Sequence, residues 1–287
     1  MNPPDFNSPL PQDSEPSSEA GQPQVGSRIA FREYPADLQA PWSWRDFFVM
    51  LAVSAGCYIL LSFLLVLFFY FHGVSLDALQ KPGTARSLFV VLNTLTLSAA
   101  VMGFLFISIR FRFRLPFWST LGWRPFDPRL PRGIVSAALV LGGCLFAIII
   151  GLASNAIGKN AKLPIETYFQ DRQSTLLLMA MGILVAPLVE ETIFRGYLYP
   201  LLARSFGVPA GVLVTGALFG LLHAEQLWGG WGQIALLILV GIVFTYVRAL
   251  ARTVLASYIL HLSYNTYLFA AFYISTGGFR HLPFNQS

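Results

Sequence analysis

Seven apolar runs, most of them long enough for a helix to cross a bilayer, dominate this sequence. They cover roughly residues 47–71, 87–109, 133–153, 175–203, 209–227, 232–250 and 254–275. A spanning helix needs about 20 such residues. Only 11% of the residues are charged, against about 25% in soluble domains. The pattern predicts an all-α polytopic membrane helix bundle with about seven transmembrane helices, and it excludes a cytosolic enzyme or a nucleic-acid-binding module.

The first 40 residues differ in composition from the rest of the chain. They are rich in Pro, Ser, Gln and acids, and they show no apolar periodicity. Such a segment cannot bury enough surface to offset its chain entropy, so we predict a disordered N-terminal tail over residues 1–40. Residues 41–132 are predicted to contain the first transmembrane helices and an arginine-rich loop.

The arginines predict the orientation of the helices. Six arginines and one acid lie in residues 110–132, between the second and third runs. Because positive loops stay in the cytoplasm, this loop and the N-terminus are predicted to be cytoplasmic, and the loop with Lys159 is predicted to be outside. We expect a multi-pass integral protein of a bacterial plasma membrane.

Ionisable residues inside the later apolar runs are the next informative feature. Between residues 175 and 274 the acids and histidines are Glu190, Glu191, His223, Glu225 and His261. An ionisable group in a bilayer is costly unless it faces a cavity or a partner, so each one is a candidate for function. Of these residues, Glu225 is expected near the outer interface and solvated.

Helix geometry separates the two adjacent glutamates. Glu191 and Arg195 are four residues apart on one helix face, with the acid first, which is the better order for an ion pair. Glu190 points about 100° away from Glu191. We therefore predict that Arg195 holds Glu191 in a structural pair while Glu190 stays free.

The helix rise predicts that the polar groups lie at similar depth. Counted from the turn between the fourth and fifth runs, Glu190 and His223 both lie roughly 21–22 Å away. Counted from Arg252, His261 lies at roughly 14 Å and Asn265 at roughly 20 Å, stacked on one helix face. We expect these four groups to converge within about one helical turn.

Several kinds of chemistry have no motif in this chain. The sequence contains no Gly-x-Ser-x-Gly elbow, no His-Glu-x-x-His and no phosphate-binding loop. A carboxylate with two imidazoles suits hydrolysis of a carbonyl bond by activated water. It equally suits proton-coupled transport, and the residues alone leave both alternatives open.

Three short motifs resemble a known family. EETIFR at residues 190–195, FGLLH at 219–223 and HLSYN at 261–265 occur in order on successive apolar runs. They resemble the Glu-Glu-x-x-x-Arg, Phe-x-x-x-His and His-x-x-x-Asn motifs of the CPBP family of intramembrane proteases. This family includes the CAAX prenyl endopeptidases and bacteriocin-processing or self-immunity proteins. The resemblance covers roughly residues 175–275.

The resemblance implies peptide-bond hydrolysis within the membrane. It assigns catalytic roles to Glu190, His223, His261 and Asn265, and orienting or structural roles to Glu191, Arg195 and Phe219. Glu190 would activate water with help from His223, while His261 and Asn265 would stabilise the oxyanion. The transmembrane catalytic bundle would be residues 133–280, with the motifs in 175–275.

The function expected from the sequence is therefore that of an intramembrane endopeptidase acting on a membrane-associated peptide or protein. The alternative is a non-catalytic immunity or proton-coupled transport protein that uses the same cluster. Activity without a required cofactor is favoured, because an Asn265–His261 donor pair suits an oxyanion better than a metal. The other possibility is a metalloprotease whose zinc is held by Glu190, His223 and His261.

Overall fold

The computed structural model describes residues 35–81, 83–127, 129, 131–158, 163–169 and 171–282. Residues 1–34 of the predicted tail and Lys159 of the predicted outer loop lie outside the described residues. In the described parts of the chain the regular structure is helical throughout. The predicted all-α membrane helix bundle is confirmed.

Within the described residues, seven long helices correspond to the seven apolar runs. They are α1 Trp44–Phe71, α2 Thr84–Arg112, α3 Arg132–Ile157, α4 Arg172–Phe206, α5 Val208–Leu222, α6 Trp231–Ala251 and α7 Val254–Ser275. Short helical turns also occur at Ala36–Leu38, Leu76–Gln80, Phe117–Thr120 and Pro164–Tyr168. Five of the long helices, α1 to α4 and α6, are long and apolar enough to cross a membrane. Of the other two, α5 has 15 residues, and α7 has 22 residues that include His, Asn, Ser and Tyr.

The tight connections around α5, α6 and α7 follow from local sequence. Gly207 has a φ of +89° between α4 and α5, a conformation that favours glycine. Pro209 lies in the first turn of α5, where its missing N–H costs nothing. After α6, the backbone of Arg252 adopts the left-handed conformation that ends a helix. Thr253 then caps the start of α7, where its Oγ1 accepts a hydrogen bond from Leu255 N at 3.2 Å.

Helix α4 is irregular in its middle. π-Helical segments occupy Met181–Val185 and Glu191–Leu198, separated by the α-helical turn Ala186–Glu190. Pro187 lies in that turn and cannot donate a backbone hydrogen bond to the preceding turn, which favours such a departure from α geometry. π-Bulges often occur at functional sites, and the second segment begins directly after Glu190.

Glycines allow close approach between the helices that carry the polar residues. A Cβ on Gly216 or Gly220 of α5 would lie 2.4–2.6 Å from backbone N atoms of α6. A Cβ on Gly143 of α3 would lie 2.1 Å from Ser263 Oγ of α7. Small residues at helix contacts are the usual means of close packing in membranes.

Residues 35–43, which precede α1, pack onto the ends of α4 and α6. Arg248, a fully buried residue of α6, pairs with Asp37 at 3.1 Å. Arg204 of α4 donates to two carbonyls of the segment at 2.7 Å each. The Trp42 indole donates to the carbonyl of Tyr197 at 3.0 Å and stacks on its ring. The last residues of the predicted tail, 35–40, are therefore part of this packing.

Candidate active site

Three helices bring one carboxylate and two imidazoles together. Glu190 lies in the middle of α4, His223 directly follows α5, and His261 lies on α7. His223 Nε2 is 3.7 Å from Glu190 Oε1, and His261 Nε2 is 3.8 Å from Glu190 Oε2. Glu190 thus lies between two imidazoles that face its two oxygens, as the depth calculation predicted for these three residues.

Neither imidazole is hydrogen-bonded directly to Glu190 at these distances. Both nitrogen-to-oxygen separations exceed the 2.7–3.2 Å of a direct N–H···O hydrogen bond. The side chains of Glu190 and His223 are 23% and 25% exposed, whereas that of His261 is 4% exposed. A water molecule entering from the exposed side can therefore contact the carboxylate and the His223 ring.

A backbone contact fixes the orientation of the His223 ring. His223 Nδ1 is 2.8 Å from the carbonyl of Phe219, which lies in the last turn of α5. A carbonyl only accepts, so this bond makes Nδ1 the donor and leaves the lone pair of a neutral ring on Nε2. That lone pair faces Glu190.

The predicted ion pair between Glu191 and Arg195 is present and is shared with a third residue. Arg195 Nη1 is 3.0 Å from Glu191 Oε1, and neither side chain is exposed. The same oxygen lies 2.9 Å from His261 Nδ1. Glu191 therefore orients His261 as well as the first motif, and it directs Nε2 of His261 toward Glu190.

Each of the three guanidinium nitrogens of Arg195 has a hydrogen-bond partner inside the protein. Its Nε donates to Thr245 Oγ1 at 3.2 Å, and its Nη2 donates to the carbonyl of Gly241 at 2.9 Å. The ring of Phe219 lies 4.5 Å from the guanidinium carbon. A buried charge is tolerated when it is paired and hydrogen-bonded in this way. Thr245 and Gly241 were missed from the sequence, although they lie four residues apart on one face of α6.

Asn265 contacts the backbone of α4. Its Nδ2 donates to the carbonyl of Gly182 on α4 at 2.8 Å. In the π segment, the Ala186 N–H donates to the carbonyl of Met181, five residues earlier. In the same pattern the next residue would donate to the carbonyl of Gly182, but that residue is Pro187, which has no N–H. The Asn265 amide thus satisfies a carbonyl that Pro187 leaves without a backbone donor. Among the described contacts, the groups facing Glu190 are the two histidines.

The remaining sequence candidates lie near this cluster. Phe219 contacts both imidazoles, with ring centroids 4.9 Å from His223 and 5.9 Å from His261. The ring of Phe244, which sequence reasoning missed, lies 4.7 Å from His261. Glu225 is exposed, as expected, in the turn that follows His223.

The donor types of the cluster are compatible with zinc, since two imidazole lone pairs and a carboxylate are common ligands. Each Nε2 faces a different oxygen of Glu190. No group of three or more His, Cys, Asp or Glu side chains in the part of the chain that the structure describes has the arrangement of a metal site. The zinc site of Glu190, His223 and His261 stays a prediction.

Comparison with known families gives a match over the segment that carries the site. Residues 172–267 match the family described as Type II CAAX prenyl endopeptidase Rce1-like. This segment contains all three motifs, and it confirms the resemblance to a family of membrane proteases. No curated protein and no solved structure gives a significant match to the chain.

Proposed function

We propose that this integral membrane protein is an endopeptidase that hydrolyses a peptide bond of a membrane-associated peptide or protein. The observation that carries the proposal is the position of the Glu190 carboxylate between His223 Nε2 and His261 Nε2 at 3.7 and 3.8 Å. These residues lie within the segment that matches the protease family.

The first chemical step uses Glu190 as a general base. Water that contacts both Glu190 and His223 from their exposed side loses a proton to the carboxylate, and the resulting hydroxide attacks the substrate carbonyl carbon. His223 Nε2, which carries the lone pair, accepts a hydrogen bond from this water and orients it. The proton then passes from Glu190 to the leaving amine as the tetrahedral intermediate collapses.

The second requirement is stabilisation of the oxyanion. His261 Nδ1 is engaged by Glu191, so Nε2 must also be protonated before it can donate to the oxyanion. The Glu191 carboxylate, which contacts Nδ1, faces the positive charge of this doubly protonated His261 ring. The 2.8 Å bond from Asn265 to Gly182 gives Asn265 a positioning role in this proposal, in which it holds α7 and its histidine against α4.

Cleavage of a membrane-peptide library by the purified full-length protein in liposomes tests the proposal. Glu190→Gln removes the base while keeping the side-chain shape, so it is expected to abolish cleavage and leave the thermal unfolding temperature unchanged. Asp77→Asn is the matched control, because this exposed acid pairs with Lys81 on the surface.

Normal cleavage by Glu190→Gln would overturn the proposed mechanism. If the wild-type protein cleaves nothing, and Glu190→Gln instead abolishes a proton-dependent flux, the transport alternative replaces the proposal.

A further inference from the structure

The connection between α2 and α3 packs against the helices that carry the candidate active site. The Gly122 carbonyl accepts a hydrogen bond from Val254 N, at the start of α7, at 2.9 Å. Leu121 is fully buried, and a Cβ on Gly196 of α4 would lie only 2.8 Å from its carbonyl oxygen. Leu121 and Gly122 precede the segment 172–267 that matches the protease family. The N-terminal part of the chain therefore contributes to the surroundings of the site.

Trp123, the next residue of this connection, contacts two of these helices at once. Its Nε1 donates to Thr192 Oγ1 of α4 at 3.1 Å. Its ring packs edge-on against that of Tyr258 on α7, with ring centroids 5.2 Å apart. The side chain is partly buried. Trp123 therefore bridges α4 and α7 through one directional hydrogen bond and one ring contact.

Both contacts of Trp123 lie next to residues of the candidate active site. Thr192 is two residues after Glu190 on α4. Tyr258 is three residues before His261 on α7, so the two side chains are neighbours on one helix face. The bridge is thus within one helical turn of the point where His261 Nε2 lies 3.8 Å from Glu190 Oε2.

The Thr192 hydroxyl is fully buried and is oriented by a second hydrogen bond. It donates to the carbonyl of Leu188 at 2.7 Å, in the α-helical turn before the second π segment. A hydroxyl has a single proton, so its oxygen is left to accept from Trp123. A threonine bonded to the carbonyl four residues earlier often bends its helix, and this bond spans the point at which α4 changes from α to π geometry. The Trp123 N–H therefore holds the irregular part of α4 in one orientation.

Trp118 shows how Trp123 differs from an interfacial tryptophan. The Trp118 side chain is 48% exposed, and its indole forms no hydrogen bond with the described residues. Exposed aromatic rings of this kind are common at membrane interfaces. Trp123, five residues later, instead directs its N–H to a buried hydroxyl beside the site.

We propose that Trp123 is a positioning residue for peptide-bond hydrolysis. It holds the π segment of α4 through Thr192 and the first turns of α7 through Tyr258. In this way it keeps Glu190 and His261 at the separation that the reaction requires. The inference rests on the proposed peptidase function. Because Trp123 acts through its neighbours and not on the substrate, its loss lowers kcat and leaves KM unchanged.

Cleavage kinetics of the full-length protein in liposomes, with a peptide that the wild type cleaves, test the proposal. Trp123→Phe keeps a ring against Tyr258 and removes the N–H donor. It is expected to lower kcat about tenfold with KM and unfolding temperature close to those of the wild type, since a 1 Å misplacement near a site can cost about 100-fold.

Trp44→Phe is the matched control. It also removes an indole hydrogen bond to a hydroxyl of α4, the 2.9 Å bond to Ser205, but at the far end of the helix from Glu190. Its kcat is expected to equal that of the wild type. An unchanged kcat in Trp123→Phe, or an equal loss in Trp44→Phe, would overturn the proposal.

Substitutions of Thr192 test the route through its hydroxyl. Thr192→Val removes the acceptor of the Trp123 N–H and is expected to lower kcat to a similar extent, whereas Thr192→Ser keeps the hydroxyl and retains most of the activity. The double variant Trp123→Phe with Thr192→Val should lose no more than the weaker single variant. Losses that multiply, or a Thr192→Ser protein as impaired as Thr192→Val, would contradict this route. The comparison of Ser with Val stands on its own if Trp123→Phe does not fold.

A measurement that needs no cleavage separates this role from the proposed function. The chain has four histidines, and the signal of the His261 ring is followed by NMR at fixed pH in full-length protein labelled with carbon-13 at histidine and assigned with His261→Gln. Trp123→Phe is expected to shift this signal, and Trp44→Phe is expected to leave it in place. That result supports the positioning of the site by Trp123 even if the wild-type protein cleaves nothing, in which case only the proposed function fails. A His261 signal that Trp123→Phe leaves unmoved, or that Trp44→Phe moves equally, overturns the positioning role.

Discussion

Glu191 Oε1 accepts a hydrogen bond from His261 Nδ1 at 2.9 Å, although the two residues are 70 positions apart in the chain. The same oxygen accepts from Arg195 at 3.0 Å, so one buried atom joins two helices. The other oxygen, Oε2, has no partner among the described residues. Glu191 therefore fixes the ring that faces Glu190, which gives this second glutamate a role separate from that of the first.

Glu191→Gln is expected to lower both activity and stability. The change leaves the Arg195 guanidinium without a counter-charge, and breaking a buried pair in this way typically costs about 3–5 kcal/mol. Thermal unfolding in detergent and peptide cleavage measure the two effects. The exposed Lys81–Asp77 pair is the control, because Asp77→Asn should cost at most about 1 kcal/mol. A Glu191→Gln protein as stable as wild type would contradict the structural pairing.

Asn265→Ala is expected to destabilise the protein because it leaves the partly buried Gly182 carbonyl without a donor. The loss is about 1–3 kcal/mol. Pro187→Ala returns a backbone N–H to α4, so the double variant should lose less than the two single changes added together. Thermal unfolding of the four proteins measures this coupling. Strict additivity would show that Asn265 does not compensate for the proline, and an Asn265→Ala protein of unchanged stability but no activity would favour a direct oxyanion role.

Gly143→Ala is expected to separate α3 from α7 and reduce stability. Its Cβ would lie 2.5 Å from the Leu260 backbone carbonyl, which cannot move aside as a flexible side chain can. The neighbouring Gly142→Ala is the control, since its Cβ would meet Leu260 at 3.6 Å, an ordinary contact. Unfolding temperatures of the two variants are compared. Equal effects would show that the close α3–α7 contact is not required.

Chelation is expected to leave cleavage intact. In the proposed mechanism Glu190 acts as a base, so active protein should contain less than about one zinc per four chains and should survive prolonged exposure to a chelator. Elemental analysis and activity after dialysis measure this. Stoichiometric zinc, together with chelator inactivation that added zinc reverses, would reassign Glu190, His223 and His261 as ligands.

The proposed orientation is tested with single cysteines in a background where Cys57 and Cys144 are replaced. A cysteine at Arg129, in the arginine-rich loop after α2, is expected to react with a membrane-impermeant reagent only from the cytoplasmic side. A cysteine at Leu76, in the connection between α1 and α2, is expected to react only from outside. Labelling of intact cells and of inverted vesicles measures both. The reverse pattern would invert the topology, and labelling of both positions from one side would contradict the predicted alternation.

The sequence alone determined the helices and the depth of the polar groups along them. Apolar run length predicts where a helix can span, because the bilayer thickness is fixed. The constant rise per residue placed Glu190 and His223 at one level, and the 3.7 Å separation agrees with that placement. The four-residue spacing of Glu191 and Arg195 predicted their ion pair, which depends only on local helix geometry.

The tertiary structure decided the partners that lie on different helices. Spacing along one helix does not give its rotation or its crossing with a neighbour, since these follow from close packing at positions such as Gly143. His261 therefore meets Glu191 as well as Glu190. Asn265, which the sequence placed with His261 on one helix face, donates to the α4 backbone, because Pro187 leaves a carbonyl there without a donor. The same distinction applies to Arg248, a buried arginine of α6. Its ion pair with Asp37, 211 residues away, exists only because the chain folds residues 35–43 back onto the bundle.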